Sequence, residues 1–111
     1  FNVNLVCGGS QPEHHDVAFT FDVRFNFSSN RNQVVRTHKA GGSWGPEELD
    51  QSYFPFSGNV PFEIVIIVEH HGFKIHVNGQ HFTDFHHRIH PIQRITHLNV
   101  EGDVRLTQVK V

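Results

Sequence analysis

Hydrophobic residues recur along this chain with a period of two, the spacing of a pleated strand rather than of a helix. Phe1, Val3, Leu5 and Cys7 share one face of the first segment, with Asn2, Asn4 and Val6 on the other. Gly8-Gly9-Ser10 and Pro12 end it. The alternation resumes with Val17, Phe19, Phe21, Val23 and Phe25 on one face and Ala18, Thr20, Asp22, Arg24 and Asn26 on the other. Alternate side chains on one face stand about 7 Å apart along a strand. Thr20, Asp22 and Arg24 are therefore expected to be exposed together as a polar row suited to reading a ligand, with Phe19, Phe21 and Phe25 buried behind them.

A turn is predicted at Ser28-Ser29-Asn30-Arg31-Asn32, then a short strand over 33–38 and a loop through Ala40-Gly41-Gly42-Ser43 into Trp44-Gly45-Pro46-Glu47. Residues 62–69 are apolar at even and odd positions alike, which predicts a strand covered on both faces, with Phe62, Ile64 and Ile66 in the core. Residues 72–77, Asn78-Gly79 and 81–85 form the clearest local signal, a hairpin whose Asn-Gly pair tolerates the two positive φ angles of a type I′ turn. Two further strands are predicted over 95–100 and 104–111. No stretch of helical length repeats apolar residues at i, i+3, i+4 and i+7, and neither a repeat nor a linker divides the chain. Eight or nine short strands with regular turns predict an all-β sandwich of two antiparallel sheets, one domain spanning 1–111.

Composition supports this and narrows the partners. The chain is 37% hydrophobic and 12% aromatic, with eleven Phe, one Tyr and no Met, a set that fills pleated surfaces well. Its formal net charge of −2 is spread without clusters, so neither nucleic acid nor an anionic membrane is the expected partner. No apolar run reaches the roughly 18 residues of a membrane span, and Phe1 opens directly into a strand pattern, so neither membrane insertion nor a leader is expected. A lone Cys7 cannot form an internal disulfide, which fits folding in reducing conditions. Asn26-Phe27-Ser28 matches the glycosylation acceptor triplet, a pattern frequent by chance and relevant only on a secretory route.

Eleven histidines, with pairs at His14-His15, His70-His71 and His86-His87 near His90, raise the question of a metal. Neighbouring histidines on a strand point to opposite faces, and no H-E-x-x-H is present, so solvated loop histidines are expected instead. No Ser-His-Asp arrangement sits on a nucleophile elbow, and nothing pairs Glu13, Glu47, Glu48 or Asp50 across one glycosidic bond. No catalytic residue, metal or cofactor is predicted.

The segment Trp44-Gly45-Pro46-Glu47-Glu48 resembles the galectin family, and its neighbours do so in order. Asp16-Val17-Ala18-Phe19-Thr20-Phe21-Asp22-Val23-Arg24-Phe25 is similar to the family strand D-[IV]-A-x-H-F-N-P-R-F. Val34-Val35-Arg36-Thr37 is similar to the V-x-N segment in the form found in second domains of tandem-repeat galectins. Phe54-Pro55-Phe56, Phe62-Glu63-Ile64, Gly72-Phe73-Lys74, Val77-Asn78-Gly79, Phe85-His86-His87-Arg88-Ile89 and Gly102-Asp103-Val104 complete it, so the resemblance spans nearly the whole chain. It implies a jelly-roll sandwich of five- and six-stranded sheets. Family chains carry about two more strands before the segment matching 1–7, so an N-terminally incomplete domain is expected. It also implies a non-catalytic, carbohydrate-binding protein of the cytoplasm, exported without a signal peptide where it acts outside the cell. Glycans or glycoconjugates would be its partners, alongside a homodimer mate or a second lectin domain.

The resemblance places the sugar site residue by residue. Arg24, Trp44 and Glu47 match the family: the indole stacks on the less polar face of galactose, and Arg24 and Glu47 fix hydroxyls. Thr20 stands where the family has His, Asp22 and Thr37 where it has Asn, and Leu49 where it has Arg. The expected activity is binding of β-galactoside-like glycans, weak or of altered specificity, with Thr20, Asp22 and Thr37 tuning the fit. A galectin-like protein-interaction or structural module that has lost sugar binding is the rival.

Overall fold

The computed structural model describes residues 1–25 and 32–110. The Asn26 triplet and, Asn32 excepted, the turn expected at 28–32 lie outside them. Among the described residues the elements are β1 (Asn2–Cys7), β2 (Asp16–Arg24), β3 (Gln33–Ala40), β4 (Ser43–Trp44), β5 (Ile64–Val68), β6 (Gly72–Val77), β7 (Gln80–His86), a 3₁₀ turn (Ile92–Arg94) and β8 (Ile95–Glu101). They form two antiparallel sheets, β4-β3-β2-β1-β8 and β5-β6-β7.

The sheets meet through the apolar face that the alternation of β2 defines. Phe19 stacks on Phe73 of β6 at 5.4 Å between centroids and tilts against Phe85 of β7 at 4.8 Å, while Phe21 meets Phe82 edge-on at 5.8 Å. Such pairs add about 0.5–1.5 kcal/mol beyond the area they bury. Phe19 and Phe21 are fully enclosed. Phe25, Phe62, Ile64 and Ile66, expected to be buried, pack against this cluster and stay partly exposed at its margin.

The sandwich departs from strict alternation near its end. The register of β2 shifts against both neighbours at Ala18, so that Leu5 faces Phe19 but Val6 faces Val17. This bulge inserts one extra residue on β2. Cys7 and Ala18 pack outside the main core, in a second small cluster with Ile89. Asn78 and Gly79 adopt φ of 54° and 80°, the pair a type I′ turn requires, so the β6–β7 hairpin is as predicted.

Two expectations are corrected. β5 is an edge strand with one covered face: Ile64 and Ile66 turn to the core, while Val65 and Ile67 stand 40% and 39% exposed on the other side. A continuous apolar run cannot distinguish a sandwiched strand from an edge strand with an open apolar face. Residues 104–110 form no strand. Val104 N donates to Gly102 O in a tight turn after β8, and the rest is exposed apart from Val104 itself.

Candidate functional site

The outer face of the β4-β3-β2-β1-β8 sheet carries a groove of about 550 Å³. Strand pairing sets its floor in cross-strand rows. Val35, Asp22, Asn2 and Glu101 form one row, and Thr37, Thr20, Asn4 and Asn99 form the next. Thr20, Asp22, Arg24, Thr37, Trp44 and Glu47, the residues assigned to the sugar site from sequence, all line this one groove.

The second row is a hydrogen-bonded chain. Thr20 Oγ1 donates to Asn4 Oδ1 at 2.8 Å, and Asn4 Nδ2 donates to Asn99 Oδ1 at 2.9 Å and to Asn2 Oδ1 at 2.7 Å. Thr37 Oγ1 has the carbonyls of Gly45 and Pro46 within 3.0 and 3.2 Å, so its proton points into the segment that follows Trp44. Thr20 and Thr37 are therefore buried, at 7% and 6% exposure, and for Thr20 this corrects the open side chain that the alternation predicted. They sit on the floor of a groove walled by longer residues, and floor position rather than strand face decides their exposure. The proton of each hydroxyl is held by the protein.

Arg24 Nε donates to Asp22 Oδ2 at 2.9 Å, with Arg24 more than half exposed. The carboxylate that replaces the family Asn is thus held by the arginine beside it, and Arg24 itself lines the groove. Trp44 is paired with Lys39 across β4 and β3 and is 54% exposed, an open indole at one end of the groove. The Lys39 ammonium stands 5.6 Å from the Trp44 ring centroid and donates to the Pro12 carbonyl, which ties the loop between β1 and β2 to this end.

Glu47 is set in place by its neighbours. Arg36 and Glu48 exchange two backbone hydrogen bonds, Arg36 N to Glu48 O at 3.1 Å and Glu48 N to Arg36 O at 2.8 Å. The fully buried Arg36 guanidinium donates to Asp50 O at 2.7 Å and to Asp50 Oδ1 at 3.1 Å, and the Glu48 carboxylate pairs with Arg88. Burial lowers the Arg36 pKa from its ordinary value, opposed by the Asp50 charge. Leu49 is 47% exposed and does not line the groove, so the position where the family has Arg contributes no donor. At the start of β2, outside the groove lining, Asp16 accepts from Arg94 Nη2 at 2.7 Å and from Gly41 N at 3.1 Å, bonds that lower its pKa.

Asn2, Asn4, Lys39 and Glu101 also line the groove, with Pro12, Glu13, Val35 and Gly42, and none of these was assigned to it from sequence. The even positions of β1 carried the signal, since Asn2 and Asn4 alternate with apolar residues, but only the placement of β1 between β2 and β8 makes them neighbours of Asp22 and Thr20. Among the described residues no three His, Cys, Asp or Glu are grouped to hold a metal ion, and no helix is long and apolar enough to cross a membrane. All eleven histidines are partly or fully exposed, though several lie on strands rather than in loops.

A two-sheet sandwich with a polar groove on one face and an open tryptophan at its end defines a lectin-type domain of the jelly-roll class. The family model described as galactoside-binding lectin matches residues 1–111, and the chain belongs to that family, the galectins. It is 42% identical over 93 residues to galectin-3 of Mus musculus, covering 84% of this chain and 34% of that protein. It is 43% identical over 109 residues to galectin-4 of Bos taurus, covering 98% and 31%. The chain thus spans about a third of the length of these relatives. Among solved structures, a glycerol complex of sheep galectin-11 superposes with a TM-score of 0.77 at 28% identity, over 96% of this chain and 71% of that one. A double variant of human galectin-16 gives 0.73 at 27% identity, over 87% and 63%.

Proposed function

We propose that this chain is a non-catalytic glycan-binding domain that takes a β-galactoside-like sugar over Trp44, with weak affinity or altered selectivity. The observation that carries it is the convergence of an open indole, the free face of Arg24 and the Glu47 carboxylate on one groove. A sugar ring stacks its C–H face on the indole, while Arg24 donates to a hydroxyl and Glu47 accepts from one. Weakness follows from the floor: Thr20 and Thr37 direct their protons into the protein, Asp22 only accepts, and Leu49 donates nothing. A shallow site with a Kd near 1 mM amounts to about 4 kcal/mol, and each missing hydrogen bond removes about 1 kcal/mol.

The same floor favours a second reading, a galectin-like interaction module without sugar affinity. Chromatography on immobilised lactose separates the two. The lectin reading predicts that the protein is retarded, that free lactose abolishes the delay and that Trp44→Ala elutes with the void. Elution of the unmodified protein with the void at low flow and high ligand density contradicts it.

A further inference from the structure

Trp44 stands on β4, a strand of two residues, below the usual length of a strand. What fixes its indole must come from the chain on either side. Before it, the backbone pairs with β3 through Lys39 and Ala40. After it, Gly45 is clamped: Gly45 N donates to His38 O at 2.8 Å, and Thr37 Oγ1 lies 3.0 Å from Gly45 O. The His38 imidazole closes the clamp by lying against the Gly45 Cα. A methyl built on that Cα would overlap Cε1 and Nδ1 of the ring, well inside the roughly 3.5–4.0 Å of van der Waals contact.

That ring is the reason residue 45 is a glycine. Gly41 and Gly42 in the preceding turn have φ of 60° and 82°, which other residues rarely adopt, but Gly45 lies outside the positive-φ region. Its backbone is open to a side chain, and only the space is not. His38 reaches it from behind the site. Val35, Thr37 and Lys39 line the groove, and His38, between the last two, belongs to the opposite face of β3 and is absent from the lining.

We propose that His38 is a positioning residue for Trp44: its imidazole fills the space where a side chain of residue 45 would stand, locks the backbone just after the indole and keeps the stacking face open to the groove. The effect on a ligand rests on the reading that the groove binds a sugar. Without the ring, a glycine regains its conformational freedom and the indole is in place only part of the time. The apparent Kd rises as the inverse of that fraction, roughly three- to tenfold for a fraction of about a third to a tenth. A methyl on residue 45 with the ring present pushes the same segment away. The two changes together remove the overlap and put a stiffer residue where the ring had been the restraint, so their effects cancel.

The test is a double-mutant cycle of His38→Ala and Gly45→Ala. It is read by lactose titration and, without ligand, by time-resolved fluorescence anisotropy of Trp44, the single tryptophan. Each single variant is expected to bind lactose roughly three- to tenfold more weakly and to show wider indole motion, and the double variant to return to within about twofold of the unmodified protein. A role in stability alone moves the urea midpoints of the single variants and leaves Kd and anisotropy as they are. Should Gly45→Ala fail to fold, recovery of a folded, lactose-binding protein on adding His38→Ala is the same cancellation. Unchanged Kd and anisotropy in the single variants, losses that add in the double variant, or a double variant that does not fold overturns this inference and leaves the lectin reading standing. If the unmodified protein does not bind lactose while the anisotropy still follows the cycle, the lectin reading falls and the role of His38 in placing Trp44 stands. Failure of both readouts overturns both.

Discussion

Arg36 offers the sharpest test of how the Glu47 segment is held. Its guanidinium is fully buried, donates to Val34 O at 2.9 Å, Asp50 O at 2.7 Å and Asp50 Oδ1 at 3.1 Å, and leaves Nε without a partner. Arg36→Ala removes all three bonds, but they are not equal losses. Val34 O still accepts from Gln33 Nε2 at 3.2 Å, and the Asp50 side chain, 94% exposed, returns to water. What goes uncompensated is the bond to Asp50 O, about 1.5–3 kcal/mol for a charged donor, and the space of a long buried side chain, about 2–5 kcal/mol. Release of a buried charge offsets part of this. The net expectation is a loss of about 3 kcal/mol. Arg36→Met keeps most of the volume and removes the desolvated charge, so it is expected within about 1 kcal/mol of the unmodified protein. Urea denaturation decides between them: at a slope of about 2 kcal/mol/M the Ala variant shifts the midpoint down by about 1.5 M and the Met variant by less than about 0.5 M, with slopes unchanged. Equal destabilisation by Ala and Met would refute the reasoning, because it would place the energy in the polar contacts rather than in packing.

Two further outcomes are expected. Asp16 has its folded-state pKa held below the unfolded value of about 3.9 by Arg94 and Gly41, so the unfolded chain takes up the proton first and the stabilisation is present above pH 4 and lost as pH falls through the acid range. Asp16→Asn should therefore flatten the acid limb of a stability-against-pH curve measured by urea melts, and an unchanged limb counts against the ion pair. Reinstalling the family residue types as Thr20→His, Asp22→Asn, Thr37→Asn and Leu49→Arg together should strengthen lactose binding in calorimetry by several kcal/mol, non-additively because the groups share one ligand; no gain in a folded variant would show that these positions are not the sugar contacts.

Much of the sandwich was legible because one face of each central strand is apolar. The β2 alternation located Phe19 and Phe21 in the core, and Asn78-Gly79 located the hairpin, since both depend on short-range rules. Where the outcome depended on neighbours, the pattern was silent. The bulge at Ala18 arises from pairing with β1 and β3, the open face of β5 from its place at a sheet edge, and the absence of a strand after β8 from the lack of a partner for residues 104–110 among the described residues. The candidate site was legible only in part for the same reason. Strand periodicity put Thr20, Asp22 and Arg24 on one face, but the inward hydroxyl proton of Thr20 and the Asp22–Asn2–Glu101 row exist only once β1 is known to lie between β2 and β8, and that of Thr37 only once the segment after Trp44 is known to fold back on β3.

The chain has one tryptophan, so the indole N–H of Trp44 gives a single, unambiguous resonance at the end of the groove. Titrating lactose into ¹⁵N-labelled protein while following that signal tests most directly whether this groove is a sugar site. The account predicts a saturable displacement of the Trp44 indole resonance with a midpoint at about 1 mM or above, accompanied by the backbone amides of β2 and β3. A stationary indole signal at lactose concentrations that shift amides elsewhere, or that shift none, would contradict it.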